Sequence, residues 1–283
     1  MDTTLELVFN LKLLFGAVVG LTIGTLAGIT GMPLGALRLP AVYLIVPTPH
    51  IAAGTNLGVD TLTATTASYR YWKARLVDIT VLLFMGGFSC IGSFLGGYSS
   101  KYVSYKWLLV FIGLVYFCVG VDMLRSATSR KSEAGQSHEG KPEGEKSDEG
   151  WRGESCSQRM EGRGVVIAAL WGFILGFIGG MAGLLMGSLR VPTMIKAMGL
   201  APAAAAGTNM VISLFMAVSG FLGHLLHRNL DLSVLLTMGI ASMIGSYAGS
   251  QLGVTLSPTA TKRLIGVAIT MMAIVLFFNG VRM

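Results

Sequence analysis

Charged residues are scarce in this sequence. Asp, Glu, Lys and Arg make up 12% of the 283 residues, whereas soluble domains have about a quarter. Eight of the 14 acidic residues lie between Glu133 and Glu161, so the rest of the chain carries little negative charge. It consists of apolar runs close to the roughly 20 residues that a helix needs to cross a bilayer. The scarcity of charge excludes a soluble globular fold and predicts an all-α polytopic membrane protein in contact with lipid.

Cysteine, metal-binding clusters and catalytic groups are equally sparse. His224, His227 and Asp231 stand close together beside Arg228, which we interpret as a solvated turn at a segment end rather than a metal site. The apolar runs show no credible nucleophile–base pair, so we expect no enzyme, no catalytic residue, no metal and no cofactor. The net charge of +7 indicates basic cytoplasmic loops rather than nucleic-acid binding. The three cysteines are too scattered for a disulfide framework: Cys90, Cys118 and Cys156.

One hydrophilic stretch divides the chain near its middle. Residues 126–163 are rich in Ser, Gly, Glu, Lys and Arg and have almost no aliphatic side chains. Such a segment cannot bury enough apolar surface to offset the entropy of ordering, so we predict a flexible linker. The sequence therefore predicts a first transmembrane repeat at 1–125 and a second at 164–283.

The two halves repeat each other in sequence. Arg, Pro, Thr, Asn and Asp recur in register along with Gly, which apolar composition alone would not produce. The matched residues of the first half are Gly20, Gly24, Gly28, Gly31, Gly35, Arg38 and Pro40, shifted by 152, and then Pro49, Gly54, Thr55, Asn56, Arg75 and Asp78, shifted by 153.

Each repeat holds about five apolar segments. They lie near 11–30, 34–47, 50–68, 77–99 and 105–124, and near 164–182, 184–199, 202–223, 231–254 and 262–281. The second and third of each set are short or interrupted by Gly and Pro, so we expect some to be short or re-entrant. An odd number of crossings would insert the halves upside down, an arrangement frequent in secondary transporters. The distribution of Lys and Arg then places the linker in the cytoplasm and both termini outside a multi-pass protein of the plasma membrane.

Two arginines stand out within the apolar runs. Arg38 and Arg190 each lie three residues after a Gly and two before a Pro. An arginine at bilayer depth costs at least about 2.5–3.5 kcal/mol on insertion scales. Its forked donors match carboxylate, sulfonate or phosphate oxygens, so one interpretation is a paired clamp for a small anion. The other is a pair of buried salt bridges or hydrogen bonds to backbone carbonyls.

A Gly-Thr-Asn signature follows each arginine. Each copy comes after a Pro-x-x-Ala stretch that can start a helix, so Thr and Asn could offer donors to an anion near a positive helix end. The alternative is helix packing through small residues, with Thr and Asn bridging helices. The candidate residues are Gly54, Thr55 and Asn56 in the first half and Gly207, Thr208 and Asn209 in the second.

Asp60 is an acidic residue within an apolar segment, and Ser213 occupies its place in the second half. Isolated carboxylates inside a membrane usually have a function. Asp60 is therefore either a relay for a coupling proton or cation or the counter-ion of Arg38.

The sequence resembles the sulfite exporter TauE/SafE family, also called the toluene sulfonate uptake permease family. The resemblance rests on the Gly-rich stretches ending in Pro40 and Pro192 and on the two Pro-x-x-Ala-x-Gly-Thr signatures, and it covers nearly all of the chain outside the linker. Gly-Thr-Ser is the commoner form in this family, whereas this chain has Asn56 and Asn209. The resemblance implies a membrane protein with duplicated halves that transports sulfite, sulfoacetate or other organosulfonates.

These observations together predict a secondary transporter of small sulfur-containing anions that works by alternating access. A passive anion channel would share the basic site, and a membrane-embedded enzyme is a third, less favoured class. Transport in sealed vesicles separates the first two.

Overall fold

The structure, a computed structural model, describes residues 2–46, 48–102, 104, 162–255, 267, 271 and 274. Helix is the only regular secondary structure in these residues, which confirms the all-α prediction for them. The predicted segment 105–124 lies outside the described residues, as do nearly all of 262–281 and of the linker. The domain boundaries therefore stay predictions.

Each half contributes four described helices. In the first half they are α1 (Asp2–Thr30), α2 (Gly35–Ile45), α3 (Pro49–Lys73) and α4 (Ile79–Tyr102). In the second half they are α5 (Gly162–Ala182), α6 (Gly187–Ala197), α7 (Pro202–Leu225) and α8 (Leu232–Thr255). Helix α4 includes a π-helical turn at Leu82–Gly86 and ends in a 3₁₀ turn at Ser100–Tyr102.

The second segment of each half is a short helix. At 11 residues each, α2 and α6 are too short to cross a bilayer. The third segments, α3 and α7, run unbroken for 25 and 24 residues, so α2 and α6 are the segments that meet the expectation of short helices. Pro49 and Pro202 begin these helices, where the missing N–H has no intrahelical partner to lose.

Equivalent residues form the turns between the third and fourth helices of both halves. Arg75 and Arg228 adopt left-handed backbone conformations, with φ of 55° and 54°, after α3 and α7 end. Asp78 and Asp231 then accept hydrogen bonds from the backbone N–H groups at the starts of α4 and α8, at 2.9 and 3.1 Å. A carboxylate at this position satisfies an otherwise unpaired donor.

Four of the helices contain stretches long and apolar enough to cross a membrane: Asn10–Thr30, Ile79–Tyr102, Pro202–Leu225 and Leu232–Gly253. Three of them have only 33–39% of their residues buried and expose large apolar side chains, as helices in contact with lipid do. The span in α7 is 67% buried. Helix α7 is therefore central and the other three are peripheral.

Glycine ladders join four helices in pairs, α1 with α8 and α5 with α4. A Cβ on any ladder glycine would collide with a backbone carbonyl of the partner helix, so these positions let the backbones touch. The Gly-rich stretches therefore act as packing surfaces. The ladder residues of α1 and α5 are Gly20, Gly24 and Gly28, and Gly172, Gly176 and Gly180.

Helices α3 and α7 contact each other along their lengths, and their residues meet in opposite sequence order. Leu57 near the start of α3 packs with Met216 and Ala217 in the second half of α7. Farther along α3, Ser68 Oγ donates to the carbonyl oxygen of Met210 at 2.9 Å. The two long helices of the core therefore run antiparallel.

Candidate anion site at two half-helices

The candidate site lies where α1 and α5 give way to the short helices α2 and α6. Gly31 and Gly183 have φ of 64° and 73°, a conformation that glycine adopts without steric cost and that ends a helix. A side chain at Gly31 would meet Ala206 of α7, and one at Gly183 would meet Ala53 of α3. Each loop is thus packed against the first turns of the long helix in the other half.

Arg38, in the second turn of α2, is 1% exposed. Its Nε donates to Asn56 Oδ1 at 3.0 Å, and its Nη2 donates to the carbonyl oxygen of Asn56 at 3.3 Å and to Asp60 Oδ1. Asp60 is also 1% exposed and forms a buried ion pair with Arg38. This geometry includes the salt bridge and the carbonyl bond of the structural alternative considered for Arg38.

Arg190 occupies the equivalent place in α6 and is fully buried. Its Nε donates to Asn209 Oδ1 at 3.0 Å, the same contact at the same distance as in the first half. Nη2 donates to Ser213 Oγ at 2.7 Å, and Nη1 contacts the sulfur of Met216 at 2.8 Å. The guanidinium therefore repeats the contact with asparagine but meets a hydroxyl where Arg38 meets a carboxylate.

The two asparagines connect each arginine to the opposite half. Asn56 Nδ2 donates to the carbonyl oxygen of Gly183 at 2.8 Å, and Asn209 Nδ2 donates to that of Gly31 at 3.2 Å. Each amide thus accepts from its own arginine and donates to the partner loop. A movement of one half against the other would have to change these bonds.

The other residues of the Gly-Thr-Asn signatures hold helix starts together. Thr55 Oγ1 accepts from the backbone N–H of Asp231 at 2.9 Å, and Thr208 Oγ1 accepts from that of Asp78 at 2.8 Å. Both signatures lie in the second turn of their helices, after the prolines that begin α3 and α7 as predicted. Their Thr hydroxyls satisfy backbone groups of the other half.

Gly54 and Gly207 allow close approach. A Cβ at Gly54 would collide with the carbonyl oxygen of Asn229, and one at Gly207 with that of Leu76. The structure thus supplies a packing role for both glycines, as the alternative interpretation of the signature proposed.

Asp60 is the clearest difference between the halves. One of its oxygens bonds to Arg38, whereas Oδ2 is buried and has no hydrogen-bond partner among the described residues. A Cβ at Gly35 would lie 2.5 Å from Oδ2, so glycine leaves the room that this oxygen occupies. Buried polar atoms are usually paired, and an exception calls for a functional explanation.

The prediction that His224 lies in a solvated turn is wrong. It is fully buried rather than solvated, with Nε2 2.9 Å from the carbonyl oxygen of Gly180 and Nδ1 3.5 Å from Ser100 Oγ. Its counterpart at the repeat offset is Tyr71, whose hydroxyl donates to the carbonyl oxygen of Gly28 at 3.0 Å. The repeat offset of 153 was the available signal, because it aligns this histidine with an aromatic residue, Tyr71.

The arrangement offers charge and hydrogen-bond donors rather than a metal site. Within the residues that the structure describes, no group of three or more His, Cys, Asp or Glu side chains could hold a metal ion. Two guanidiniums lie at equivalent positions, and each donates to an asparagine of the same half. The described part of the chain is thus an all-helical membrane protein with two similarly built halves.

Comparison with known proteins identifies the class. Residues 16–276 match the profile of the family described as "Sulfite exporter TauE/SafE". The chain is 26% identical over 274 residues to the "Probable membrane transporter protein YunE" of Bacillus subtilis, covering 93% of this chain and 94% of the relative. It is 20% identical over 239 residues to the "Probable membrane transporter protein YdhB" of the same organism, covering 81% and 85%. No solved structure matches the chain significantly.

Because the profile covers most of its length, the chain belongs to the sulfite exporter TauE/SafE family of membrane transporters. The resemblance found in its glycine, proline and Gly-Thr residues is thereby confirmed.

Proposed function

We propose that this protein is a secondary transporter that moves small sulfur-containing anions, such as sulfite or organosulfonates like sulfoacetate, by alternating access. The observation that carries the proposal is the pair of buried arginines at equivalent positions of two half-helices, Arg38 and Arg190. A guanidinium keeps its charge under all physiological conditions, and its planar donors suit a sulfonate, which offers three acceptor oxygens and stays anionic. The description of the family as sulfite exporters supports this substrate class.

We further propose that the halves form inverted-topology repeats. Equivalent helices related by a twofold axis in the membrane plane must run in opposite directions, and the antiparallel contact of α3 with α7 fits this requirement. The half-helices α2 and α6 would then meet near mid-membrane, where transporters of this plan bind their substrates.

Alternating access needs a site whose affinity differs between two states. Asn56 and Asn209 each connect an arginine to a loop of the other half. A rocking movement of the halves would change these bonds and with them the donors that each arginine offers. This gives the substrate a physical means of favouring one state.

Transport in sealed vesicles tests the proposal. Purified protein in proteoliposomes should take up sulfite, methanesulfonate or sulfoacetate with saturation, and unlabelled substrate inside should accelerate uptake by exchange. Flux that rises linearly without exchange would indicate the passive anion channel instead. A folded protein that moves none of these anions would contradict the proposed substrate class.

Lysine substitutions test the arginines without removing charge. Arg38→Lys and Arg190→Lys keep a cation in place but lose the planar fork, so uptake should fall by about tenfold or more, equivalent to ~1.4 kcal/mol. The matched control is Arg70→Lys, because Arg70 lies near the end of α3 over the Tyr247 ring, 5.3 Å from its centroid. Unchanged uptake in both site variants would move the anion site elsewhere.

The proposed orientation has the linker in the cytoplasm of a plasma-membrane protein. Cys156 lies in the linker sequence, and a Cys90→Ser/Cys118→Ser variant leaves it as the single cysteine. A membrane-impermeant maleimide should label Cys156 in inverted vesicles but not in intact cells. Labelling in intact cells would reverse the orientation.

A further inference from the structure

The charge balance around Asp60 extends the proposed function to its driving ion, and this step rests on that function. Asp60 is a carboxylate bound to the guanidinium that the substrate would use. An anion that reaches Arg38 therefore meets a site already neutralised by an internal anion. The substrate must displace this carboxylate or bind beside it.

Most of the hydrogen-bonding nitrogens of Arg38 are already engaged. Nε is engaged by Asn56, and Nη2 is engaged by Asn56 and Asp60, so two of the three nitrogens are already used. A sulfonate that takes a bidentate position on this guanidinium would compete with Asp60 for Nη2. If the carboxylate stayed ionised, it would lose its hydrogen bond while still buried.

Binding without compensation would be costly. Arg38 and Asp60 are each 1% exposed and together carry no net charge. A substrate anion bound at Arg38 alone would leave the Arg38–Asp60 pair with a net negative charge, which a low-dielectric environment strongly disfavours. One proton on Asp60 would restore neutrality.

Asp60 has a place for that proton. Oδ2 is buried, has no hydrogen-bond partner among the described residues, and faces Gly35, which leaves it room. The protonated carboxyl could then serve as a hydrogen-bond donor to a bound sulfonate. Ser213, its counterpart in the second half, cannot take up a proton in this way.

Few other titratable groups lie on the helices packed against this part of α3. Helix α8 contains no acidic, basic or histidine residue, and α1 has none after Lys12. Helix α2 carries Arg38 and Tyr43, and α7 carries His224, whose Nε2 is directed at the carbonyl oxygen of Gly180. Asp60 is thus the acidic group placed to respond to an anion on Arg38.

We propose that Asp60 is the coupling residue of a proton–anion symport, in which each anion bound at Arg38 is accompanied by one proton on Asp60. The proton comes from the aqueous side to which the site is open, binds the carboxylate as the anion takes its place on the guanidinium, and leaves with the anion on the other side. The carboxylate then returns to Arg38. A monovalent sulfonate and a proton move together without net charge.

Methanesulfonate is the probe for the test, because it stays anionic and carries no titratable proton of its own. Wild-type proteoliposomes with a pH-sensitive dye inside should acidify internally as an inward methanesulfonate gradient drives uptake, with one proton entering per anion. Uptake without acidification would overturn the coupling proposal but leave anion transport standing. Absence of methanesulfonate, sulfoacetate and sulfite uptake by the folded wild type would overturn both proposals.

Asp60→Asn gives the residue-level test. It keeps an oxygen for Arg38 but cannot bind the proton, so the methanesulfonate uptake that this variant retains should cause no acidification and should no longer respond to a pH gradient. Asp78→Asn makes the same chemical change at the start of α4, where Asn also caps a helix, and should leave coupling intact. An Asp60→Asn protein that still moves one proton per anion would refute the assignment. If this variant does not fold, Asp60→Glu, which keeps a titratable carboxyl, must retain acidification.

Discussion

The two halves of this transporter are alike at their helix contacts and differ in their buried charged residues. Both have equivalent glycine ladders, an asparagine that donates to a loop of the opposite half, and a buried arginine in a short helix. Yet Asp60 in one half corresponds to Ser213 in the other, and Tyr71 corresponds to His224. Close backbone contact limits side-chain size at the equivalent ladder positions of both halves, whereas the proposed coupling carboxylate lies in the first half.

The largest effect should come from the charge difference. Asp60→Ala leaves Arg38 buried without its carboxylate, and breaking a buried ion pair costs about 3–5 kcal/mol. Ser213→Ala removes one hydrogen bond to Arg190, and such a bond to a charged group is worth about 1.5–3 kcal/mol. The melting temperature of the purified protein in detergent should therefore drop further for Asp60→Ala.

Asp60→Asn separates the charge of Asp60 from its hydrogen bond, because its amide oxygen can still accept from Arg38. Its melting temperature should fall between those of Asp60→Ala and the wild type. Equal losses for Asp60→Ala and Ser213→Ala would mean that the carboxylate of Asp60 adds no more stability than the hydroxyl of Ser213.

The glycine ladders should respond equally in both halves. Gly24→Ala places a methyl group against the carbonyl oxygen of Ser242, and Gly176→Ala places one against that of Ser89. Overpacking of this kind costs about 1–3 kcal/mol, and the two thermal shifts should agree closely.

Gly87→Ala is the control for helix propensity, because a Cβ at Gly87 meets nothing within 4 Å. It should be neutral or slightly stabilising, since Ala favours helix more than Gly does. A loss at Gly24 without one at Gly176 would show that only one helix pair is tightly packed.

A third prediction replaces the Tyr71–Gly253 contact with the equivalent contact of His224 and Ser100. Gly253 is the counterpart of Ser100, and a Cβ there would lie 2.6 Å from the hydroxyl of Tyr71. Gly253→Ser should therefore cost about 1–3 kcal/mol of stability. The melting temperature should fall accordingly. Adding Tyr71→His recreates the pair that His224 of the second half forms with Ser100 of the first, and should restore part of the loss.

The rescue should be partial, because the same Cβ would also lie 2.5 Å from the carbonyl oxygen of Ile29. A double-mutant cycle of the four proteins measures the coupling between Gly253 and Tyr71. Additive losses would mean that the histidine and tyrosine are not equivalent solutions to the same packing problem.

The sequence repeat predicted much of this comparison. Gly, Pro and Arg in register predicted the short second segments and the two arginines within apolar surroundings, because each demands a particular local environment. The partners across the halves could not be predicted, since Asn56 and Gly183 are 127 residues apart and nothing local selects that pair. The burial of His224 was missed because its neighbours in sequence, Arg228 and Asp231, indicated a solvated turn.

The smallest effects should come from the threonines that hold the helix starts. Thr55→Val and Thr208→Val keep the side-chain shape but leave the backbone N–H groups of Asp231 and Asp78 without their acceptors, at a cost of about 1 kcal/mol each. The two melting temperatures should match, because both bonds are made in the same way across the halves.

In the double variant the losses should add within about 0.3–0.5 kcal/mol, since the two hydroxyls share no hydrogen-bond partner. Additivity would mean that each half stabilises the other through independent contacts at its own helix start. A double loss well above the sum would instead show that the two helix starts are coupled, which would require the antiparallel contact of α3 with α7 to transmit strain from Thr55 to Thr208.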